Sequence, residues 1–166
     1  MSLLSKGLVG IAIAAATAVS SLASAQGLIN EKSISLAMAQ TIANGAISEC
    51  REMGYKVSVT VLDRGGLPIV MLHGDGAGLH TNEGSDRKAY TARTFSQPSA
   101  AFAKRVLDDP AGSAGSLQYT RVLALPGGLP IKVGNEVVGA VGVSGSPGKD
   151  DVCSQAGIDK VADQLK

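Results

Sequence analysis

The two histidines of this 166-residue chain, His73 and His80, lie in one glycine-rich stretch, and two adjacent cations, Arg87 and Lys88, follow closely. Imidazole nitrogens ligate metals, and guanidinium and ammonium groups neutralise carboxylates. Tyr90 adds a phenol and Thr91 a hydroxyl. The stretch could therefore hold a ligand that carries both a metal and negative charge. Each residue also has a plainer reading: a surface histidine, a solvated helix face, a half-buried tyrosine. Zinc held by His73 and His80 with Asp75 or Glu83 is a further arrangement open to these types. Met71 is a soft donor, but its place inside an apolar run marks it as core.

The elements that must position these groups follow from periodicity. Residues 57–62 alternate Val57, Val59 and Val61 with Ser58 and Thr60, the mark of a β-branched strand. Asp63-Arg64-Gly65-Gly66 is a tight reversal and residues 69–73 return, so 57–73 is a hairpin ending at His73. Residues 84–95 read as a helix stopped by Pro98, and 99–107 as a short second one. Before them, Ile34, Met38 and Ile42 recur every four residues on an amphipathic helix. Asn30 or Ser33 would cap that helix and Gly54 would end it. Gly45 in its interior suggests close packing against a strand. Residues 122–125, 129–133 and 136–144 read as strands, and 149–165 as a closing helix. The order predicts an α/β fold with a mainly antiparallel five-stranded sheet flanked by helices, the first and last on one face. The rhythm of a doubly wound nucleotide fold is absent.

Composition narrows the function. Apolar residues make up 45% of the chain, with 21 glycines, 2 phenylalanines and no tryptophan, so the core is aliphatic and aromatic cages are excluded. Residues 1–25 have the form of a secretory signal peptide: Lys6, an apolar run from Leu8 to Val19, then Ala23-Ser24-Ala25. The apolar run is short of the roughly 20 residues a membrane span needs. Residues 26–166 then form a single domain, periplasmic or secreted, with no stable membrane insertion after cleavage. The formal net charge is +1 for the whole chain and its cations are scattered, which argues against nucleic acid. Cys50 and Cys153 permit one disulfide in an exported protein, or two separate buried thiols. No P-loop and no nucleophile elbow is present. No acid–base pair can be placed from spacing alone, so catalysis stays open.

Several segments, taken in order, resemble one family. They are Val61-Leu62-Asp63-Arg64-Gly65-Gly66, Asp75-Gly76-Ala77, Arg87-Lys88-Ala89-Tyr90-Thr91-Ala92, Leu125-Pro126-Gly127-Gly128-Leu129-Pro130-Ile131, and the Val138 to Gly145 run. Together they are similar to the GlcG/HbpS-like proteins, which are related to the C-terminal domain of PduO-type adenosyltransferases. The resemblance implies a profilin-like sandwich, homo-oligomers (octamers among them), and binding of haem or a related tetrapyrrole. It makes His80 the leading iron ligand, with His73 second. Arg87 and Lys88 become propionate partners, and Tyr90 and Thr91 further contacts. Many family members carry Arg where this chain has His73; a neutral histidine pairs less well with a propionate but ligates better. The implied role is storage, scavenging or sensing of haem. A haem-degrading or small-acid-processing enzyme, or a non-catalytic oligomeric interaction protein, is the alternative.

Overall fold

A computed structural model describes residues 27–166; the predicted signal peptide lies outside them. Residues Glu31–Lys166 form one unit, and Gly27–Asn30, all that is described of the preceding unit, contain no helix or strand. The elements are α1 (Leu36–Glu52), β1 (Ser58–Leu62), β2 (Pro68–His73), α2 (Thr81–Phe95), α3 (Ser99–Asp108), α4 (Pro110–Ser113), β3 (Gly128–Val133), β4 (Glu136–Ser144) and α5 (Asp150–Asp159), with short 3-10 turns after α4 and α5.

The sheet is antiparallel throughout, in the order β2-β1-β4-β3. Each hairpin turns where a glycine takes positive φ, Gly66 at 81° and Gly134 at 58°. In the first turn the Gly66 amide donates to Asp63 O at 3.1 Å, and the Leu67 amide to Asp63 Oδ1 at 2.9 Å. Because β1 is central, all five of its residues are buried. Val57, Val59 and Val61 join the core cluster with Ile42, Ala46 and Val161, whereas Leu62 packs with Ala89 and Ala92 of α2. α1 and α5 thus cover one face and α2 the other. β2 is an edge, with one side of its backbone free of sheet partners.

The predicted fifth strand is not formed; the sheet has four strands. Residues 122–125 have their backbone groups taken by side chains instead. Thr91 Oγ1 accepts from the Leu123 amide at 2.8 Å, Arg87 Nη2 donates to Val122 O at 3.0 Å, and Ser99 Oγ donates to Leu125 O at 2.7 Å. A strand needs those same groups for a ladder.

Two further expectations are corrected. The N-cap of α1 is Ser35, whose Oγ accepts from the Met38 amide at 3.2 Å, while Ser33 Oγ accepts from the Arg64 amide. Gly45 faces α5 rather than a strand: a Cβ there would sit 3.2 Å from Gly157 Cα. This glycine pair lets α1 and α5 approach closely enough for a disulfide. Cys50 and Cys153 are bonded, with Cα atoms 5.5 Å apart, inside the usual range.

Candidate functional site

β2 ends at His73, directly across from Ser58 of β1. Cross-strand partners share a face, so the imidazole lies toward the start of α2. There Ser58 Oγ is 2.9 Å and Asn82 Oδ1 3.1 Å from His73 Nδ1. Ser58 Oγ is also 2.7 Å from Thr81 Oγ1, which donates to Gly78 O at 2.7 Å. A carbonyl only accepts, so the Thr81 proton goes to Gly78 O and the Ser58 proton to Thr81 Oγ1. Ser58 Oγ must then accept from His73, as must Asn82 Oδ1. The chain of donors fixes the Nδ1–H tautomer and leaves Nε2 with its lone pair.

His73 lines a groove of about 650 Å³ that wraps the free edge of β2. Ile47, Val57, Met71 and Leu72 supply apolar lining, and Arg51, Lys56 and Tyr55 polar groups. Arg51 and Lys56 have no carboxylate within 4.0 Å among the described residues. Two glycines shape the loop beneath. A Cβ on Gly74 would lie 2.7 Å from Val57 O, and Gly76 (φ 71°) sits under the Lys56 side chain, 3.1 Å from Nζ to where its Cβ would be.

His80 falls elsewhere. It precedes α2, is exposed, and makes no capping hydrogen bond. With Glu83, Arg87, Lys88, Leu123 and Ser144 it lines a separate cleft of about 200 Å³. Arg87 Nη1 pairs with Glu83 at 2.9 Å, and its Nε is buried without a hydrogen-bond partner. Lys88 is buried. Its Nζ donates to Asp150 Oδ2 at 2.7 Å and to Val143 O at 3.2 Å, with Ser144 Oγ at 3.4 Å. Asp150 Oδ1 in turn accepts from the Ser146 amide and hydroxyl, at 2.9 and 2.7 Å, and Ser146 Oγ touches Cys50 Sγ at 3.1 Å. The neighbouring Asp151 carboxyl is raised above the usual carboxylate range by burial, against the lowering effect of the Gly127 amide it accepts from.

The structure thus brings His80, Arg87 and Lys88 together and separates His73 from them. Tyr90 and Thr91 serve the fold. The Arg121 guanidinium lies 4.1 Å over the Tyr90 ring while clamping Asp86 at 2.7 and 3.1 Å. Thr91 is buried and donates to Arg87 O at 2.8 Å. The zinc arrangement is not assembled: no group of three or more His, Cys, Asp or Glu among the described residues is placed to hold a metal. Sequence reasoning missed Arg51, Lys56, Ser58 and Asn82. The one signal for Ser58 was a small polar residue within a run of valines.

A tetrapyrrole needs an apolar body site, a ligand for its metal and cations for its acid groups. The His73 groove has all three and falls within the roughly 300–1,000 Å³ of ligand pockets, whereas the His80 cleft falls below it. The residues present fit the group, and when bound it would supply the redox and oxygen chemistry of its own metal.

A family model described as "Haem degrading protein HbpS-like" matches residues 34–159. An uncharacterized 15.0 kDa protein from the dhaT-dhaS intergenic region of Citrobacter freundii is 34% identical over 121 residues, covering 71% of this chain and 84% of the relative. The crystal structure of HbpS superposes with a TM-score of 0.74 at 32% identity, covering 81% of this chain and 94% of that one. A PduOC:haem complex shares the fold, with a TM-score of 0.70 at 22% identity over 77% of this chain and 94% of that one. With the four-stranded antiparallel sheet between helices, these matches place the chain in the HbpS-like family.

Proposed function

We propose that this protein binds a tetrapyrrole, haem foremost, as an exported binding protein for storage, scavenging or sensing. The observation that carries the reading is the segment between β2 and the middle of α2. It sets an imidazole at each of two cavities, His73 at one and His80 with Arg87 and Lys88 at the other. Membership in a haem-associated family supports the same reading. Export is supported by the leader-like residues 1–25 and by the single disulfide. No helix among the described residues is long and apolar enough to cross a membrane. Assembly into a homo-oligomer is supported by apolar side chains left in solvent, Leu79, Leu107 and Tyr119 at 96, 80 and 62% exposure.

The test is reconstitution with haemin followed by gel filtration. Haem co-eluting with the protein at a fixed ratio to chain, its Soret band intact after a reductant is added, is the expected result. Loss of the Soret band only when the protein is present would assign degradation instead. Elution of all haem in the free fraction would sink the reading. The elution volume of the same run reports the oligomer; a monomer would overturn that part.

A further inference from the structure

We infer that His73 Nε2 is the atom of this chain that ligates the tetrapyrrole's metal, and that Arg51 and Lys56 receive its carboxylates. The inference rests on the binding reading above and names the place within it. Four observations carry it, each from a different kind of contact.

The first is orientation. A metal-ligating histidine almost always donates its other ring N–H to a protein acceptor, which fixes the tautomer and raises the basicity of the ligating nitrogen. His73 has two such acceptors, Ser58 Oγ at 2.9 Å and Asn82 Oδ1 at 3.1 Å. The acceptor pair is itself anchored, since Ser58 is fully buried and tied through Thr81 to Gly78 O. His80 is exposed as His73 is, but makes no capping hydrogen bond.

The second is space. The groove at His73 is about three times the volume of the cleft at His80, about 650 against 200 Å³. Its lining also includes the apolar side chains of Ile47, Met71 and Leu72, the last two on opposite faces of the edge strand, and a bound macrocycle gains by burying them.

The third is charge. Arg51 and Lys56 rise from the end of α1 and the loop after it, and neither has a carboxylate partner within 4.0 Å among the described residues. Asp75 is the one acid in the groove lining. A ligand with two carboxylates meets two cations that have no ion pair to break, Arg51 giving up only a long 3.5 Å bond from Nη2 to Ser48 Oγ.

The fourth concerns the rival cations. Lys88 cannot leave Asp150 without stranding a buried carboxylate, and Arg87 is spent on Glu83 and Val122 O. Lys88 and Arg87 hold α2 to β4, α5 and residues 122–125.

The experiment is a haemin titration followed by absorbance on the whole protein and on His73→Ala, His80→Ala and Arg51→Ala/Lys56→Ala, with metal-free protoporphyrin titrated in parallel. His80→Ala should keep the parent's Soret position and affinity. His73→Ala should shift the Soret band and weaken haemin by about tenfold or more, while metal-free protoporphyrin binds as in the parent, which also shows that the groove is intact. The double variant should weaken both porphyrins and leave the Soret position of bound haemin unchanged. Imidazole added to His73→Gly should restore the parental spectrum. Parental haemin spectra and affinity in His73→Ala would overturn the inference while leaving the binding reading in place. Failure of the parent to bind either porphyrin would overturn both.

Discussion

His73 Nδ1 and Ser58 Oγ, cross-strand partners at the free edge of the sheet, are 2.9 Å apart. One hydroxyl, buried beneath α2, thereby sets the proton position on a ring at the protein surface. Nitrogen-15 NMR of the ligand-free protein near pH 8 should show His73 as the Nδ1–H tautomer. Ser58→Ala should cost about 1–2 kcal/mol in chemical unfolding, from the lost hydrogen bonds of Ser58 Oγ to His73 and Thr81. A His73 ring protonated on Nε2 in the parent would contradict the donor order derived above.

Lys88 and Asp150 form a buried pair whose members are individually indispensable. Lys88→Met should destabilise by about 3–5 kcal/mol because it leaves the Asp150 carboxylate uncompensated. Asp150→Asn in the same chain should recover part of that loss. Urea unfolding of the two variants decides it; a Lys88→Met loss under about 1 kcal/mol would mean that the pair is solvated.

The Cys50–Cys153 bridge closes a loop spanning 103 positions. By chain entropy it contributes about 4–5 kcal/mol. Unfolding with and without dithiothreitol, checked against Cys50→Ala/Cys153→Ala, should show that difference. Equal midpoints would mean that the reduced chain retains the constraint by packing alone.

Gly157 is required by geometry. A Cβ there would run into Ile42 O and come within 3.1 Å of Ala46 Cβ. Gly157→Ala should cost about 1–3 kcal/mol through forced separation of α1 and α5, read as a lower melting temperature. An unchanged melting temperature would show that the helices can part freely.

Much of this architecture could be read from residue order. The valine alternation at 57–61 and the Asp63–Gly66 turn specify a hairpin ending at His73. Met38 and Ile42 mark the helix that covers it, whereas Ile34 lies before the Ser35 N-cap and donates its amide to Val138 O of β4 at 3.2 Å. The miscounted strand shows where periodicity stops informing: residues 122–125 are apolar enough for a strand, yet Thr91, Arg87 and Ser99 reach their backbone from other elements. The site was legible as a region and not as a constellation. His73 and His80 are close in sequence, but the edge strand and the helix start carry them to different cavities. Arg51 and Lys56 come from the far side of the sheet, a proximity that no local spacing encodes.

Haemin added stepwise to the purified, ligand-free protein tests the central claim most directly. A Soret difference spectrum that saturates at a fixed ratio to chain is the predicted result. A response that only grows linearly with added haemin, matching free haemin in buffer, would contradict it.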